Sequence, residues 1–575
     1  MAGGRGEWSV VGSLSRGGAH GRSFPPISLV QQRKPRYCCK EPRKSVAFWE
    51  RSRWPGWAEL KRLYRRIWWQ LWAACLAVLL AAFSLAQGPV EFSHRNVAKN
   101  AGLGWATPQQ SPGEDTRSPQ ADQKPAGEGA GATQEQKISP KEAEELFRDV
   151  DEILKFASED TALPIKHKVK RKLTTRDEVV AYLEKTMAED KDAQRLRRSE
   201  LVLKKFGLLP SDFDLQGFLV KLLREQVAGY YDPKTKTVNL LDWIEAEQQR
   251  PVMAHELTHA LQDQSFGLEK WMKRGDVDLD EKQNPTPEDL EQDEVSEARQ
   301  AVVEGQAMVV LVDYMLSPTR QTLLSSPQLA NALKEGMLSG TADSPAFQRA
   351  PIFLKEALTF PYRYGLDFEA ELLRSGGKQK AFAAAFSDPP QSTRQIMEPK
   401  TYLSGEKLEP MHLPDFKEDF KNYERFDIGA MGEFDVGVLV DQYAGAEASQ
   451  AIYPHWRGGY YYAVRPKGDP AAPLALLYVS RWSDAESAAR FAGIYAKALA
   501  TRYTHVREAV EDGGAPLDLH NLETLTGSHS WLTEQGPVVI TVQKETVLIT
   551  ESLDQPTTER VEQELLGLKA VAVKQ

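Results

Sequence analysis

The spacing of apolar residues along the chain predicts several amphipathic helices. Ordered structure is expected to begin near Ser139, which can cap a helix that Pro140 opens. Leu146, Val150 and Ile153 then fall on one face of that helix. Similar helical spacing recurs at residues 177–190, 193–206, 214–225, 297–316 and 484–503. The region up to about residue 405 is therefore expected to be mainly helical.

Runs rich in β-forming residues predict strands in two places. Residues 226–241 contain two such runs around Asp232-Pro233-Lys234-Thr235, a turn signal that predicts a hairpin. Beyond about residue 426 the pattern predicts strands at 460–464 and 474–479, a hairpin at 538–550 and a closing helix at 557–568. Together these features predict an α+β fold, in which a mainly helical domain with a small β-sheet is followed by a small α+β domain.

One predicted helix carries the residues with the clearest chemistry. The stretch from Pro251 to Gln264 reads PVMAHELTHALQDQ, with His255, Glu256 and His259 in the pattern His-Glu-x-x-His. Positions i and i+4 of a helix lie one turn apart on one face, so both imidazoles can reach one metal ion. Neutral imidazole nitrogen suits zinc, whose catalytic sites keep one position open for water. Glu256 can act on that water and is therefore the candidate catalytic residue.

A site with two histidines needs a third protein ligand, and two glutamates compete for that role. Glu304 lies within an apolar helical pattern, where a carboxylate is costly unless it is paired or binds a metal. Gly305 would allow this helix to approach the histidine-bearing helix closely. Glu297, two turns earlier, is the rival. It lies near the acidic stretch 274–294, which is expected to be a surface loop, and it can be solvated there at little cost.

The sequence His-Glu-Leu-Thr-His-Ala resembles the zinc helix of thermolysin-like metallopeptidases, and so does the position of Asp263, four residues beyond the second histidine. A glutamate on the following helix makes the pattern similar to that of the gluzincins. The layout of residues 140–405 also looks like that of secreted bacterial zincin-like proteins of unassigned substrate. The resemblance implies a zincin-like domain that holds Zn²⁺ through His255, His259 and Glu304 and hydrolyses peptide bonds of protein or peptide substrates.

Charge is distributed unevenly along the chain. The formal net charge is −9, but residues 1–66 carry 15 Lys and Arg against 4 Asp and Glu, a net charge of +11. The rest of the chain therefore carries −20, which argues against nucleic acid as a partner. The cysteines Cys38, Cys39 and Cys75 all precede the predicted catalytic region, so neither a disulfide nor a cysteine ligand is expected there.

The first part of the chain reads as a targeting segment. An apolar run follows the basic residues Lys61, Arg62, Arg65 and Arg66, which is the arrangement of a secretory signal peptide, and its length also allows an uncleaved membrane anchor. Either interpretation places the protein outside the cytoplasm, secreted or membrane-anchored. The predicted order is a basic, unstructured extension at 1–66, the signal peptide or anchor at 67–87, a disordered linker at 88–137, the metallopeptidase domain at 138–405 and the C-terminal α+β domain at 426–575.

Residues that would assist catalysis are not singled out by the sequence. Tyr230, Tyr362, Tyr364 and Arg394 are candidates for stabilising an oxyanion. The sequence allows three interpretations of Asp263: it orients a ligand histidine through the free ring nitrogen, it caps the helix end, or it faces solvent.

Two other functional classes are compatible with this pattern. One is a catalytically inactive binding or scaffold protein of the cell envelope that keeps a zincin-like fold, although a purely structural zinc site has no need of Glu256. The other is a zinc hydrolase that does not act on peptides, because the His-Glu-x-x-His pattern defines the metal site better than the substrate.

Overall fold

Helices make up most of the first part of the structure. The computed structural model describes residues 137–568 except for 180, 182–189, 227–228, 276–278, 280–281, 283, 341–343 and 511–514. In chain order the helices of this part are α1 (Pro140–Thr161), α2 (Asp190–Lys205), α3 (Leu215–Gln226), α4 (Ala246–Phe266), α5 (Leu268–Met272), α6 (Pro287–Leu316), α7 (Pro327–Gly340), α8 (Pro345–Gln348), α9 (Ile352–Gln379), α10 (Ala385–Ser387), α11 (Thr393–Met397) and α12 (Pro399–Ser404). A 3₁₀ turn at Ser317–Thr319 follows α6, and a π-helical turn at Lys380–Ala384 follows α9.

Helix α1 begins at the residues that the sequence indicates. The Ser139 hydroxyl accepts a hydrogen bond from the Glu142 main-chain N–H (3.3 Å), and the Ser139 N–H donates to the Glu142 carboxylate (2.7 Å). This reciprocal pair is a capping box, which satisfies two of the unpaired N–H groups at a helix start. Leu146, Val150 and Ile153 are buried on the inner face, so the predicted apolar stripe is confirmed.

A three-stranded sheet borders α4. Its strands are β1 (Lys170–Thr174), β2 (Tyr230–Asp232) and β3 (Thr237–Leu241), in the order β1-β3-β2. β1 runs parallel to β3, and β2 runs antiparallel to it, so the predicted hairpin is confirmed. Asp232 closes the turn by accepting hydrogen bonds from the Lys234 N–H and the Thr235 hydroxyl, both at 2.8 Å. β2 is therefore an edge strand of this sheet.

Two long helices contain a proline in their interior. α4 begins five residues before Pro251, and α9 continues through Pro361 instead of breaking there. A proline inside a helix costs about 3 kcal/mol. Phe360 and Tyr362, on either side of Pro361, are both buried, and burial of each such side chain contributes about 1.5–3 kcal/mol. Packing on both sides of the proline therefore outweighs the local preference for a break.

The acidic stretch predicted to be a surface loop is shorter than expected. α6 begins at Pro287, where Thr286 forms a capping box with Asp289. The Thr286 N–H donates to the Asp289 carboxylate (2.6 Å), and acidic residues in a first turn also interact favourably with the helix dipole. Residues 287–294 are consequently helical, and Asp293 and Glu294 are buried.

Helices α6 and α9 cross at two glycines. A Cβ on Gly305 would lie 2.2 Å from the carbonyl oxygen of Gly365, and a Cβ on Gly365 would lie 2.3 Å from the carbonyl oxygen of Ala301. Only residues without a side chain fit between two helix backbones at this separation. The close approach predicted for Gly305 is therefore made to α9 and not to the histidine-bearing α4. This crossing fixes the position of Glu304, the preceding residue on α6.

The last part of the described chain is built on a seven-stranded sheet. Its elements in chain order are α13 (Phe416–Asp419), β4 (Tyr423–Ala430), α14 (Glu433–Ala444), α15 (Ala446–Ile452), a 3₁₀ turn (Tyr453–His455), β5 (Trp456–Pro466), β6 (Ala475–Trp482), α16 (Ala485–Arg502), β7 (Val506–Glu508), a 3₁₀ turn (Leu519–Asn521), β8 (Gly527–Thr533), β9 (Gly536–Gln543), β10 (Thr546–Glu551) and α17 (Gln555–Leu566). The strand order is β4-β5-β6-β10-β9-β8-β7, with every neighbouring pair antiparallel. The protein is therefore an α+β protein, as predicted.

One hydrophobic core runs from the helices into this sheet. The Phe206 ring at the end of α2 meets Tyr461 and Tyr478 edge-on, with ring centroids 5.9 and 5.6 Å apart. A buried ion pair lies next to this contact, because Arg502 donates to the Glu551 carboxylate at 2.8 Å. The helical part and the sheet are thus joined by apolar packing and by a charge pair.

The described part of the chain corrects one further prediction. No helix in residues 137–568, outside the gaps given above, is long and apolar enough to cross a membrane, so the prediction of a transmembrane protein is wrong for this part. The predicted signal peptide or anchor at 67–87 lies outside the described residues. The predicted extension at 1–66 and the linker as far as residue 136 lie outside them as well.

Candidate metal centre

Helix α4 holds two histidines at one point in the interior. Residues 252–263 of this helix are all buried, so the helix is enclosed on every side. His255 and His259 are 1% and 3% exposed, and their Nε2 atoms lie 3.0 Å apart. The rings meet edge to face, with centroids 4.7 Å apart and an interplanar angle of 88°. The one-turn spacing predicted from the sequence therefore directs both Nε2 atoms to the same place.

The carboxylate of Glu304 reaches this place from α6. Its Oε2 lies 2.9 Å from His255 Nε2, and its Oε1 lies 3.2 Å from His259 Nε2. One ligand atom from each of the three residues lies within 4.8 Å of the others, and Glu304 is only 2% exposed. A buried group of this kind can hold a metal ion. Glu297, the rival ligand, does not belong to the group that the described residues form.

Burial and mutual charge shift the pKa values within this cluster. Burial lowers the pKa of His255, so this imidazole is neutral. Burial also disfavours charge on His259, but the Glu304 carboxylate outweighs it and raises the pKa of His259 to about 9. The pKa of Glu304 lies below its ordinary value, because the charge of His259 and hydrogen bonds from both histidines outweigh the cost of burial. A metal cation could replace the His259 proton as the partner of Glu304, since histidine ligates metals in its neutral form.

Glu256 lies beside the cluster and is held by the small sheet. It is 5% exposed, and its Oε2 accepts a hydrogen bond from the main-chain N–H of Tyr231 on β2 (2.7 Å). Burial raises the pKa of Glu256 to about 7; the charge of His259 lowers it and that of Glu304 raises it. A carboxylate with a pKa near neutrality is suited to take up and release a proton.

A chain of buried amides orients His259. The Nδ1–H of His259 donates to Gln262 Oε1 (2.9 Å), which leaves Nε2 as the ring nitrogen that faces the cluster. The Gln262 amide in turn donates to the Val303 carbonyl and to Gln306 Oε1, both at 2.9 Å. The Gln306 amide donates to the Ala381 carbonyl (2.7 Å). Gln262 and Gln306 are both fully buried, so these hydrogen bonds link α4, α6 and the π-helical turn after α9.

Glu369 stands at the far end of this amide chain. It lies on α9 near Gln306 and is fully buried, and neither oxygen of its carboxyl group has a hydrogen-bond partner in the described part of the chain. Burial raises the pKa of its carboxyl group well above the ordinary value, which favours the protonated form.

Asp263 caps the end of α4, which is one of the three interpretations that the sequence leaves open. Its Oδ2 accepts a hydrogen bond from the Tyr231 hydroxyl (2.8 Å) and contacts the Lys236 ammonium group. Its Oδ1 accepts the Leu268 main-chain N–H (3.2 Å). Asp263 therefore ties the end of α4 to the β2–β3 hairpin. The side chain that is hydrogen-bonded to Nδ1 of His259 is that of Gln262, the neighbour of Asp263 in sequence.

The three candidate tyrosines lie at different distances from the cluster. The Tyr362 ring stacks beside His255, with centroids 6.3 Å apart and an interplanar angle of 29°. Tyr230 is half-buried on β2, next to the residue that binds Glu256. Tyr364 packs against Phe360 at 5.4 Å between centroids. Tyr362 is therefore the candidate that the structure places beside a ring of the cluster, that of His255.

Arg394 is engaged elsewhere. Its guanidinium lies 2.7 Å from Glu433, 3.0 Å from Glu398 and 3.3 Å from Glu406. It lines a separate cavity beside β5. The structure therefore gives Arg394 a role in an ion-pair cluster and not at the metal centre.

Sequence reasoning does not find the amide chain behind His259. Gln262 follows His259 by three residues and so lies on the same helix face, which is a signal that local spacing could have supplied. Gln306 and Glu369 carry no such signal, because their contacts depend on how three separate helices pack.

Comparisons with protein-family models, with curated proteins and with solved structures find no match to this chain. The described part of the chain thus contains a buried group of His255, His259 and Glu304 that can hold a metal ion.

Proposed function

We propose that this protein is a zinc-dependent peptidase of the gluzincin type, which hydrolyses peptide bonds of protein or peptide substrates outside the cytoplasm. The observation that carries the proposal is the convergence of His255, His259 and Glu304 with a further buried carboxylate, Glu256, beside them. A metal site with a purely structural role has no need of that fourth residue. The basic residues and apolar run before residue 87 support export.

The donor set is one that zinc accepts. Two imidazole nitrogens and one carboxylate oxygen form a known ligand set of catalytic zinc, with a fourth position open to water or substrate. The three closest pairs of ligand atoms are 2.9, 3.0 and 3.2 Å apart. Tetrahedral ligands at ordinary zinc bond lengths lie roughly 3.3 Å apart, so only small shifts would be needed. Bound zinc would lower the pKa of a coordinated water and polarise the scissile carbonyl.

Glu256 is the group that moves the proton. Its carboxylate takes a proton from the attacking water and delivers it to the amine nitrogen that leaves when the C–N bond breaks. The Tyr231 N–H holds Oε2 of Glu256, which restricts the orientation of the whole carboxylate. Proton transfer in this geometry needs no large movement of the side chain.

The edge strand β2 supports a peptide as the substrate. An extended peptide can add to an exposed sheet edge through main-chain hydrogen bonds. β2 is the edge of the three-stranded sheet, and the N–H of Tyr231 on this strand is directed at Glu256. A peptide lying along this edge would therefore pass close to the proposed base.

The proposal is tested on the full-length protein with casein as substrate. Glu256→Gln should retain bound zinc but lose roughly 10²-fold or more in turnover, because the proton acceptor is removed while the ligands stay. Glu247→Gln is the matched control, since Glu247 lies on the same helix with its side chain 80% exposed. Zinc content and casein hydrolysis are measured for both variants.

The outcomes separate the alternatives. Unchanged turnover in Glu256→Gln would refute the mechanism. A wild-type protein that binds zinc but does not hydrolyse casein or other unfolded substrates would favour the inactive binding or scaffold protein.

A further inference from the structure

A second site lies away from the metal cluster, between the first turns of α6 and the start of β5. It is a cavity of about 390 Å³, within the size range of sites that bind small molecules or side chains. Its apolar lining consists mainly of Leu290, Leu408, Met411, Leu413, Trp456 and Tyr460. The mechanism proposed above uses none of these residues.

The backbone of β5 is shaped around this cavity. The pairing of β5 with β6 shifts register between Trp456 and Gly458, which is a β-bulge. Gly458 has φ +147°, and a Cβ there would lie 2.7 Å from the sulfur of Met411. A Cβ on Gly459 would lie 2.9 Å from the carbonyl oxygen of Met431. The two glycines therefore allow Met411 and the main chain at Met431 to pack closely against the start of β5, beside the cavity.

The wall contributed by α6 is acidic. Glu288 and Glu291 are one turn apart on this helix and line the cavity, and neither has a cationic partner within 4 Å among the described residues. Partial burial, together with the charges of Glu288 and Glu294, raises the pKa of Glu291, whereas the charge of Arg481 lowers it. Like charges at this spacing repel each other, which a cationic ligand group would relieve.

The cationic residues of the lining do not cancel this charge. They are Arg394, Lys407 and Arg457, against five glutamates. Arg394 is already held by carboxylates, and Arg457 donates to the main-chain carbonyls of Pro454 and Trp456 at 2.9 and 2.7 Å. The lining therefore has a net negative charge.

We propose that this cavity binds a peptide segment in which an apolar side chain is adjacent to Lys or Arg. The apolar side chain enters the lining, and the cationic side chain pairs with Glu288 and Glu291. The cavity is separate from the metal cluster, because Glu291 precedes Glu304 by 13 residues, roughly 20 Å along α6. The proposal does not depend on peptidase activity.

The test compares two peptides by calorimetry on full-length Glu256→Gln protein, which prevents cleavage. N-acetyl-Ala-Leu-Lys-Ala-amide should bind with a dissociation constant on the order of 0.1 mM, at least about tenfold tighter than N-acetyl-Ala-Leu-Glu-Ala-amide. Adding Glu288→Gln and Glu291→Gln together should weaken the lysine peptide about tenfold, because a charge-assisted contact is lost. Glu447→Gln, an exposed position on α15, is the matched control and should leave the affinity unchanged.

Three outcomes would overturn the proposal. These are equal affinity for the two peptides, an affinity that the double substitution does not change, and no binding of either peptide at millimolar concentration. Hexylamine binding as tightly as the lysine peptide would also overturn it, since the site would then recognise an amine without the peptide.

Discussion

Gln262 offers a direct test of how the metal cluster is held. Its side-chain oxygen accepts the Nδ1–H of His259, and its amide donates to Val303 and Gln306, all at 2.9 Å. Gln262→Leu keeps a similar volume in this fully buried position but removes all three hydrogen bonds. The substitution therefore separates the polar role of the residue from its packing.

Two effects of Gln262→Leu can be estimated. The substitution leaves His259 Nδ1 and Gln306 Oε1 buried without these partners, and each such group costs about 1–3 kcal/mol. The free energy of unfolding of the metal-free protein should therefore fall by about 3 kcal/mol. Loss of the hydrogen bond that orients a ligand histidine typically reduces metal affinity 10–100-fold, and we expect zinc affinity to fall by about that factor.

The assay is a zinc titration against a competing chelator, with urea unfolding of the metal-free protein in parallel. Gln262→Glu is the informative companion, because its carboxylate can still accept from His259 but cannot donate to Val303 or Gln306. It should lose stability while it keeps zinc affinity near that of the wild type. Wild-type zinc affinity in a correctly folded Gln262→Leu protein would refute the assigned role of this residue.

Three further predictions concern α6 and α9. Glu304→Ala should lose most of its zinc affinity in a titration while Glu297→Ala retains it, and the opposite result would reassign the third ligand. Burial raises the pKa of Glu369 in the folded protein, so its contribution to the free energy of unfolding is complete below the ordinary pKa of glutamate. This contribution is lost as the pH rises from there towards the pKa in the folded protein. The free energy of unfolding of Glu369→Gln should therefore rise relative to that of the wild type by up to about 1.4 kcal/mol per pH unit above the ordinary pKa. Urea unfolding at pH 5 and pH 8 measures this, and a difference between the two proteins that is the same at both pH values would contradict it. Gly305→Ala should lower the free energy of unfolding by about 1–3 kcal/mol, because its Cβ would lie 2.2 Å from a main-chain oxygen, whereas Gly336→Ala, with open space around it, should not.

Local signals account for the elements that the sequence predicts well. The capping box at Ser139 and the turn at Asp232 are made by hydrogen bonds between residues two or three apart, so their chemistry is visible in a short window. The spacing of His255 and His259 likewise directs both imidazoles to one point in any regular helix. Glu304 could be anticipated because a carboxylate among apolar residues needs a partner.

Tertiary packing decides the features that local signals do not reach. The helix through Pro361 persists because large side chains on both sides are buried. Gly305 meets α9 and not α4, because the path of the chain places Gly365 there.

The sequence by itself determined the metal-binding pattern, the main helices and the hairpin, since all of these depend on contacts within a few residues. Only the tertiary structure decided that Gln306 lies behind Gln262, and that Tyr231 is hydrogen-bonded to Glu256. These two pairs join residues on different elements, 44 and 25 positions apart, and their geometry follows from which faces pack together in the core.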